Sequence, residues 1–162
     1  MITIRKANIK ADFDSTWNIF KQVISTADTY LYNPNTNKED FSKYWFGENI
    51  QTFVAILDNE IVGTYTLKAN KIDLGNHIAN GSYMVHPNHQ AKGIGKLLCE
   101  HSLQIAKADN FIAIQFNSVV STNLAAVALW QKFGFRIIGT TPKGFRHGTL
   151  GLVDTYIMYR EL

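Results

Sequence analysis

Gln90-Ala91-Lys92-Gly93-Ile94-Gly95-Lys96 places glycines, lysines and an amide side chain directly ahead of a run with helical apolar spacing. A helix begins with N–H groups that have no intrahelical partner and with the positive end of its macrodipole, so a glycine-bearing loop there suits phosphate oxygens. Glycine at 93 and 95 removes Cβ atoms that would hold a ligand off the backbone. A dinucleotide fingerprint is excluded because Leu98 stands where G-x-G-x-x-G needs its last glycine. A nucleotide P-loop is excluded because Gln90 and Leu97 occupy its first glycine and its Ser/Thr position.

The elements around this loop can be read from periodicity. Tyr83-Met84-Val85 ends a strand beginning near His77, and His86-Pro87-Asn88 breaks it. Upstream, Ile2 to Lys6 reads as a strand and Asp12 to Thr26 as a helix carrying Phe13, Trp17, Phe20 and Ile24. Lys38 to Phe46 is a short second helix, and Gln51 to Leu57 with Ile61 to Ala69 form a hairpin. Gly63 marks a bulge or a close approach. Downstream, Phe111 to Asn117 alternates as a strand parallel to 77–85, because a right-handed strand-helix-strand crossover joins them. Ser121-Thr122-Asn123 caps a helix that Gly134 ends, Phe135 to Gly139 is a strand, Thr140 to Leu152 reads as a loop, and Val153 to Tyr159 is the last strand. The pattern is α+β in one domain over 1–162, with a central mixed sheet of about seven strands and about four flanking helices.

Composition narrows the function. The chain has 162 residues, 46% hydrophobic and 18% charged, with a formal net charge of +3. No basic run with interleaved aromatics favours nucleic acid, while a small anionic ligand fits. One cysteine, Cys99, leaves no disulfide framework and fits a reducing cytoplasmic setting. No signal segment or apolar run long enough for a bilayer is evident, and the histidines lack metal-ligand spacing.

A second motif lies one strand later: Asn123-Leu-Ala-Ala126-Val-Ala-Leu129-Trp130-Gln-Lys-Phe-Gly134-Phe135. Together with Q-x-x-G-x-G it resembles the GNAT superfamily of N-acetyltransferases, over residues 77 to 139 in motifs and over the whole chain in architecture. The resemblance implies acetyl transfer from acetyl-CoA to an amine by direct attack. It implies that backbone groups along 82–85, including Tyr83, Met84 and Val85, hold the pantetheine arm, and that the amide near Tyr83 polarises the thioester. Gln90, Lys92, Gly93, Ile94, Gly95 and Lys96 would hold the pyrophosphate, and Asn123 would bond the pantetheine or the sulfur side. Where many members carry an acidic Tyr this chain has Trp130, and Ser118 stands where some relatives place a Glu base.

His77, Asn80 and Tyr83, then Asn117 and Asn123, then Trp130 and the ending Val-Asp-Thr-Tyr-Ile-Met-Tyr are similar to the fungal acetyltransferases that act on the proline analogue azetidine-2-carboxylate. That likeness implies Asn80 and Asn117 at the reacting centre, as neutral amides that polarise the thioester or orient amine and water. His86 and His89 read as solvated turn histidines, and Lys143, Arg146 and His147 could meet a substrate carboxylate. The expected partner is a small-molecule amine, with a homodimer by analogy. Acetylation of protein N-termini or lysines, and a non-catalytic acyl-CoA-binding domain, are the alternatives.

Overall fold

The computed structural model describes residues Met1–Leu162. In chain order the elements are β1 (Thr3–Lys6), α1 (Ile9–Ser25), α2 (Lys38–Phe46), β2 (Gln51–Leu57), β3 (Glu60–Ala69), β4 (Ile78–Val85), α3 (Ile94–Ala108), β5 (Ala113–Val120), α4 (Leu124–Lys132), β6 (Arg136–His147) and β7 (Gly151–Glu161). Helix α1 starts earlier than the sequence periodicity predicts. Asn8 caps it, its Oδ1 accepting from the N–H groups of Lys10 and Ala11 at 2.9 and 3.2 Å. Asp12 is therefore inside the helix, buried, and its carboxylate receives Arg5 through two bonds of 2.6 and 2.9 Å and the Asn8 N–H at 2.7 Å. This ties β1 to α1, and the Arg5 guanidinium holds the Asp12 carboxyl below its ordinary range.

The strands form one seven-stranded mixed sheet in the order β1-β2-β3-β4-β5-β7-β6. Only β4 and β5 are parallel, as the α3 crossover requires. Asp58 and Asn59 turn the β2–β3 hairpin with φ of 50° and 65°, the left-handed pair that a two-residue hairpin favours. Gly63 serves both expected purposes: a register shift lies opposite it at Ala55/Ile56, and a Cβ there would stand 2.9 Å from Ile94 Cγ2.

The carboxyl-terminal part differs from the expectation of a loop over Thr140 to Leu152. There, β6 and β7 form one long hairpin, and register shifts at Ile137/Gly139 and Thr141/Phe145 take up the glycines and the left-handed Lys143. The Lys143 N–H, turned out of the ladder, is received by Asp154 Oδ1 at 2.8 Å. At the hairpin tip the Gly148 N–H donates to the Ala27 carbonyl at 2.8 Å, just after α1. Strand β5 also runs past Asn117 to Val120, through a shift in its pairing with β7 between Phe116 and Val119.

A hydrophobic cluster covers each face of the sheet. One joins Ile94, Leu98 and Cys99 of α3 and Trp130 of α4 to Tyr65, Tyr83, Ile114 and Phe116. The other joins Ile19, Phe20 and Ile24 of α1 and Phe41 and Trp45 of α2 to Met84. The Trp45 indole N–H, buried there, donates to Thr64 Oγ1 at 3.0 Å. Burial pushes the Cys99 thiol up to about 12, so this cysteine packs and does not react.

Candidate active site

The parallel seam between β4 and β5 is short. Its register holds only Ile78↔Ala113 and Ala79↔Ile114, after which the strands diverge. On its other side β4 stays paired to β3 from Ala79 to Val85. Ladder groups alternate along a strand, and the bonds Asn70 N–H to Ile78 O and His86 N–H to Val62 O place the even-numbered residues toward β3. Gly81, Tyr83 and Val85 therefore turn their backbone groups into the opening. Met84 does not: its backbone groups face β3 and its side chain lies in the α1–α2 core.

Tyr83 is split between the two regions. Its ring is buried, 4.9 Å from Trp130 and 5.4 Å from Tyr65, and its hydroxyl donates to Ser102 Oγ at 2.8 Å. The ring lies back over position 81, where a Cβ would meet the phenol oxygen at 3.0 Å and Thr66 O at 2.9 Å, so only glycine fits. The Tyr83 backbone faces the opening, and there it is already engaged. The N–H donates to the hydroxyl of Tyr30 at 3.0 Å, and that hydroxyl donates to the Tyr83 carbonyl.

Past the mouth of the opening lies the glycine loop. Gly93 is the N-cap of α3 with φ 78°, so glycine is needed for conformation, and a Cβ there would meet nothing within 4 Å. No side chain caps the helix, and its first bond is Leu97 N–H to Gly93 O at 3.2 Å. The N–H groups of Ile94, Gly95 and Lys96 are thus without an acceptor in the chain, while the Ile94 side chain is core. A Cβ on Gly95 would approach Leu129 Cδ2 of α4 at 3.5 Å, so its absence widens the groove between α3 and α4. Gln90 and Lys92 are exposed beside it, and Lys96 sits 3.6 Å from Glu100. This is an anion cradle of backbone donors with a cationic rim, the chemistry a pyrophosphate needs.

The amide residues gather at the other end of the opening. Asn80 Nδ2 donates to the Gln115 carbonyl at 2.9 Å, bridging β4 to β5 where their ladder stops. Asn117 Nδ2 donates to Asn70 Oδ1 at 2.7 Å, and Gln115 Nε2 donates to Asn117 Oδ1 at 3.1 Å. Asn80 and Asn117 thus belong to one amide network with Gln115 and Asn70, though they do not bond each other. No carboxylate takes part in it. Asn123 stands at the start of α4, its Oδ1 capping Ala126 N–H at 3.2 Å, which leaves its Nδ2 donors free.

Trp130 is buried between Tyr83 and Phe116, at 4.9 and 4.7 Å, and serves as core. Ser118 is exposed at the β5 register shift. The histidines correct the expectation of solvated turn residues: His86 is buried, its Nδ1 accepting from Asn88 N–H at 3.2 Å, and His89 lies 3.8 Å from Glu60. Lys143 and Arg146 are exposed without an acidic partner, while His147 Nδ1 accepts the turn N–H groups of Thr149 and Leu150.

Sequence reasoning missed Tyr30, Tyr32, Asn70 and Gln115. Tyr30 and Tyr32 stack at 6.1 Å, and Tyr32 stacks on Tyr44 at 5.1 Å, making an aromatic wall between α1 and α2. A recess outside the wall is lined by Tyr32, Asn33, Asp40 and Tyr44. Burial raises the Tyr30 and Tyr32 phenols above their ordinary range, so both stay protonated. The clue to Tyr30 was a polar-tipped aromatic in a segment too short for a helix. Nothing local pointed to its partner, which lies far along the chain.

Comparison with known proteins agrees with this geometry. Residues 17–135 match the model of the acetyltransferase (GNAT) family. The N-acetyltransferase aca1 of Schizosaccharomyces pombe is 35% identical over 98 residues, covering 60% of this chain and 47% of that protein. The L-amino acid N-acetyltransferase AaaT of Escherichia coli is 27% identical over 114 residues, 68% of each chain. The chain thus spans about half the length of aca1, and a smaller share, 16%, of the Saccharomyces cerevisiae protein SPT10. A GCN5-related N-acetyltransferase from Kribbella flavida superposes with a TM-score of 0.94 at 36% identity, covering 99% of this chain and 98% of that one. The structure of yncA from Salmonella typhimurium with acetyl-CoA shares the fold at a TM-score of 0.87 and 20% identity, covering 100% of this chain and 94% of that one. With its divergent β4–β5 seam, its uncapped α3 and this agreement over most of its length, the chain belongs to the acetyltransferase (GNAT) family.

Proposed function

We propose that the protein transfers the acetyl group of acetyl-CoA to the amine of a small molecule, an amino or imino acid, by direct attack. The observation that carries this reading is the diverging β4–β5 seam, which leads from free backbone groups on β4 to the uncapped N-terminus of α3. Acetyl-CoA supplies an activated thioester and a pyrophosphate on one flexible arm. The Ile94, Gly95 and Lys96 N–H groups hold the pyrophosphate, and the odd-numbered residues of β4 hold the arm. The amine nitrogen attacks the carbonyl carbon. The C–N bond forms, the C–S bond breaks, the sulfur leaves as thiolate, and the new ammonium loses its proton to solvent.

The reacting end offers amides and phenols in place of a carboxylate base. Asn117 and Asn80 therefore orient the acceptor and a water, and the acceptor arrives as its free base. An acceptor bearing its own carboxylate suits the unpaired Arg146, whose hairpin tip is bonded to Ala27 near the aromatic wall. AaaT, named for L-amino acids, supports that choice.

The test is acetyl-CoA-dependent thiol release by the purified protein with free amino acids, cyclic imino acids, polyamines and short peptides. Release stimulated by amino or imino acids, and rising with pH as the acceptor loses its proton, is the expected result. Stimulation by peptides alone would replace the small-molecule reading with a protein acetyltransferase. Tight binding without any stimulated release would leave an acyl-CoA-binding domain.

A further inference from the structure

Of the β4 positions whose backbone groups turn into the opening, the phenol of Tyr30 occupies Tyr83, whose ring lies in the buried aromatic core. It accepts from the Tyr83 N–H at 3.0 Å and donates to the Tyr83 carbonyl. A strand edge left open by its neighbour ordinarily pairs with another strand or with water. Here a side chain from the α1–α2 connection does so, held in place by the stack of Tyr30 on Tyr32 and of Tyr32 on Tyr44.

An acyl oxygen that comes to accept the Tyr83 N–H must meet this hydroxyl. The phenol is amphoteric: it gives up its acceptor role to the incoming oxygen, and its O–H turns from the Tyr83 carbonyl to that same oxygen. We propose that Tyr30 is a catalytic residue, its O–H and the Tyr83 N–H forming a two-donor site for the thioester oxygen as that oxygen gains negative charge. This rests on the acetyl-transfer reading above and deepens it. The phenol moves no proton in the step; it stays a neutral donor, and its hydrogen bond strengthens as the tetrahedral oxyanion develops. It does not replace the acid missing at Trp130, whose indole is packed in the core; it acts on the oxygen and not on the leaving sulfur. A hydrogen bond already made to the bound thioester and stronger in the transition state raises turnover more than it tightens substrate binding.

Tyr30→Phe keeps the ring and its stack and removes only the hydroxyl. The expected result is a fall in kcat on the order of 100-fold, with the KM for acetyl-CoA within a few-fold of wild type. A purely space-filling or plugging Tyr30 predicts the reverse: tighter acetyl-CoA binding and an unchanged or higher kcat. Isotope-edited infrared spectroscopy of carbonyl-labelled acetyl-CoA bound to the enzyme reads the same interaction without any acceptor. The wild-type carbonyl stretch lies below that in Tyr30→Phe if both donors reach it, and the two coincide if Tyr30 does not. Should Tyr30→Phe fail to fold, 3-fluorotyrosine at position 30 keeps the fold and strengthens the donor, and the stretch must then move further down. An amine panel that gives no turnover, with the infrared difference intact, overturns the proposed transfer and leaves the two-donor site standing. A coincident stretch with normal turnover overturns only Tyr30.

Discussion

The two seams of β4 are opposites built on one strand. Toward β3 it pairs without a break from Ala79 to Val85, and toward β5 it pairs only at Ile78 and Ala79. The closed seam is backed by stacked rings, Phe53 on Tyr65 at 4.8 Å and Tyr65 on Tyr83 at 5.4 Å, and its polar groups are consumed by the ladder. The open seam is held by Asn80 reaching Gln115 and by Tyr30 reaching Tyr83, contacts that a ligand can exchange one at a time. One strand thus carries rigidity on one edge and exchangeable polar contacts on the other. On the proposed reading, the rigid edge fixes where the open edge points, so that its donors are in place before the charge they stabilise exists.

Changes at the open seam should reach activity first. If the amides orient the acceptor as proposed, Asn117→Ala and Asn80→Ala each lower kcat on the order of 10 to 100-fold with acetyl-CoA binding retained. Titration calorimetry beside steady-state kinetics checks this, and undiminished turnover in both variants would end the asparagine reading. The closed seam should respond in stability instead. A side chain at Gly63 would press within 2.9 Å of Ile94 and 3.2 Å of Leu98. Gly63→Val therefore costs about 1–3 kcal/mol, visible as a drop of roughly 2–4 °C in Tm per kcal/mol.

The smallest effect belongs to the Arg5–Asp12 tie at the far edge of the sheet. Asp12 is buried and its carboxyl is held low by Arg5, so its contribution is present above the ordinary carboxylate range and is lost as pH falls through the depressed folded value. Arg5 is half in solvent, which limits the pair to about 1 kcal/mol. Wild type should be more stable than Asp12→Asn above the ordinary carboxylate range, with the gap closing toward acid, in urea melts at several pH values. The sign is that wild type is the more stable at neutral pH and the two converge at low pH.

The legible parts of this chain were those that signal locally. The run Lys38 to Phe46 was legible as α2, where Asn37 proves to be the cap, and Gly93 and Gly95 marked the anion cradle. Strand β6 was obscured because Lys143, Gly144, Arg146 and His147 look like a solvated loop, whereas register shifts and Asp154 absorb them inside a hairpin. The amide network was half visible: Asn80 and Asn117 could be picked out, while Asn70 and Gln115 join only when β3, β4 and β5 are side by side. Tyr30 was invisible for the same reason. Its role is defined by the Tyr83 backbone, and a backbone group carries no letter of its own.

The strand order also has a consequence for how the molecule is made. Since β7 lies between β5 and β6, the last strand of this sheet in chain order is an interior one. As the chain leaves the ribosome, β1 to β4 can assemble their meander at once, but β5 waits with an unpaired edge until residues near Glu161 emerge. The Gly148 to Ala27 bond waits for the β6–β7 hairpin, so the segment leading to the aromatic wall gains this neighbour after the β1–β4 meander is made. A nascent chain of this design is a folded half-sheet before it has a complete reaction chamber.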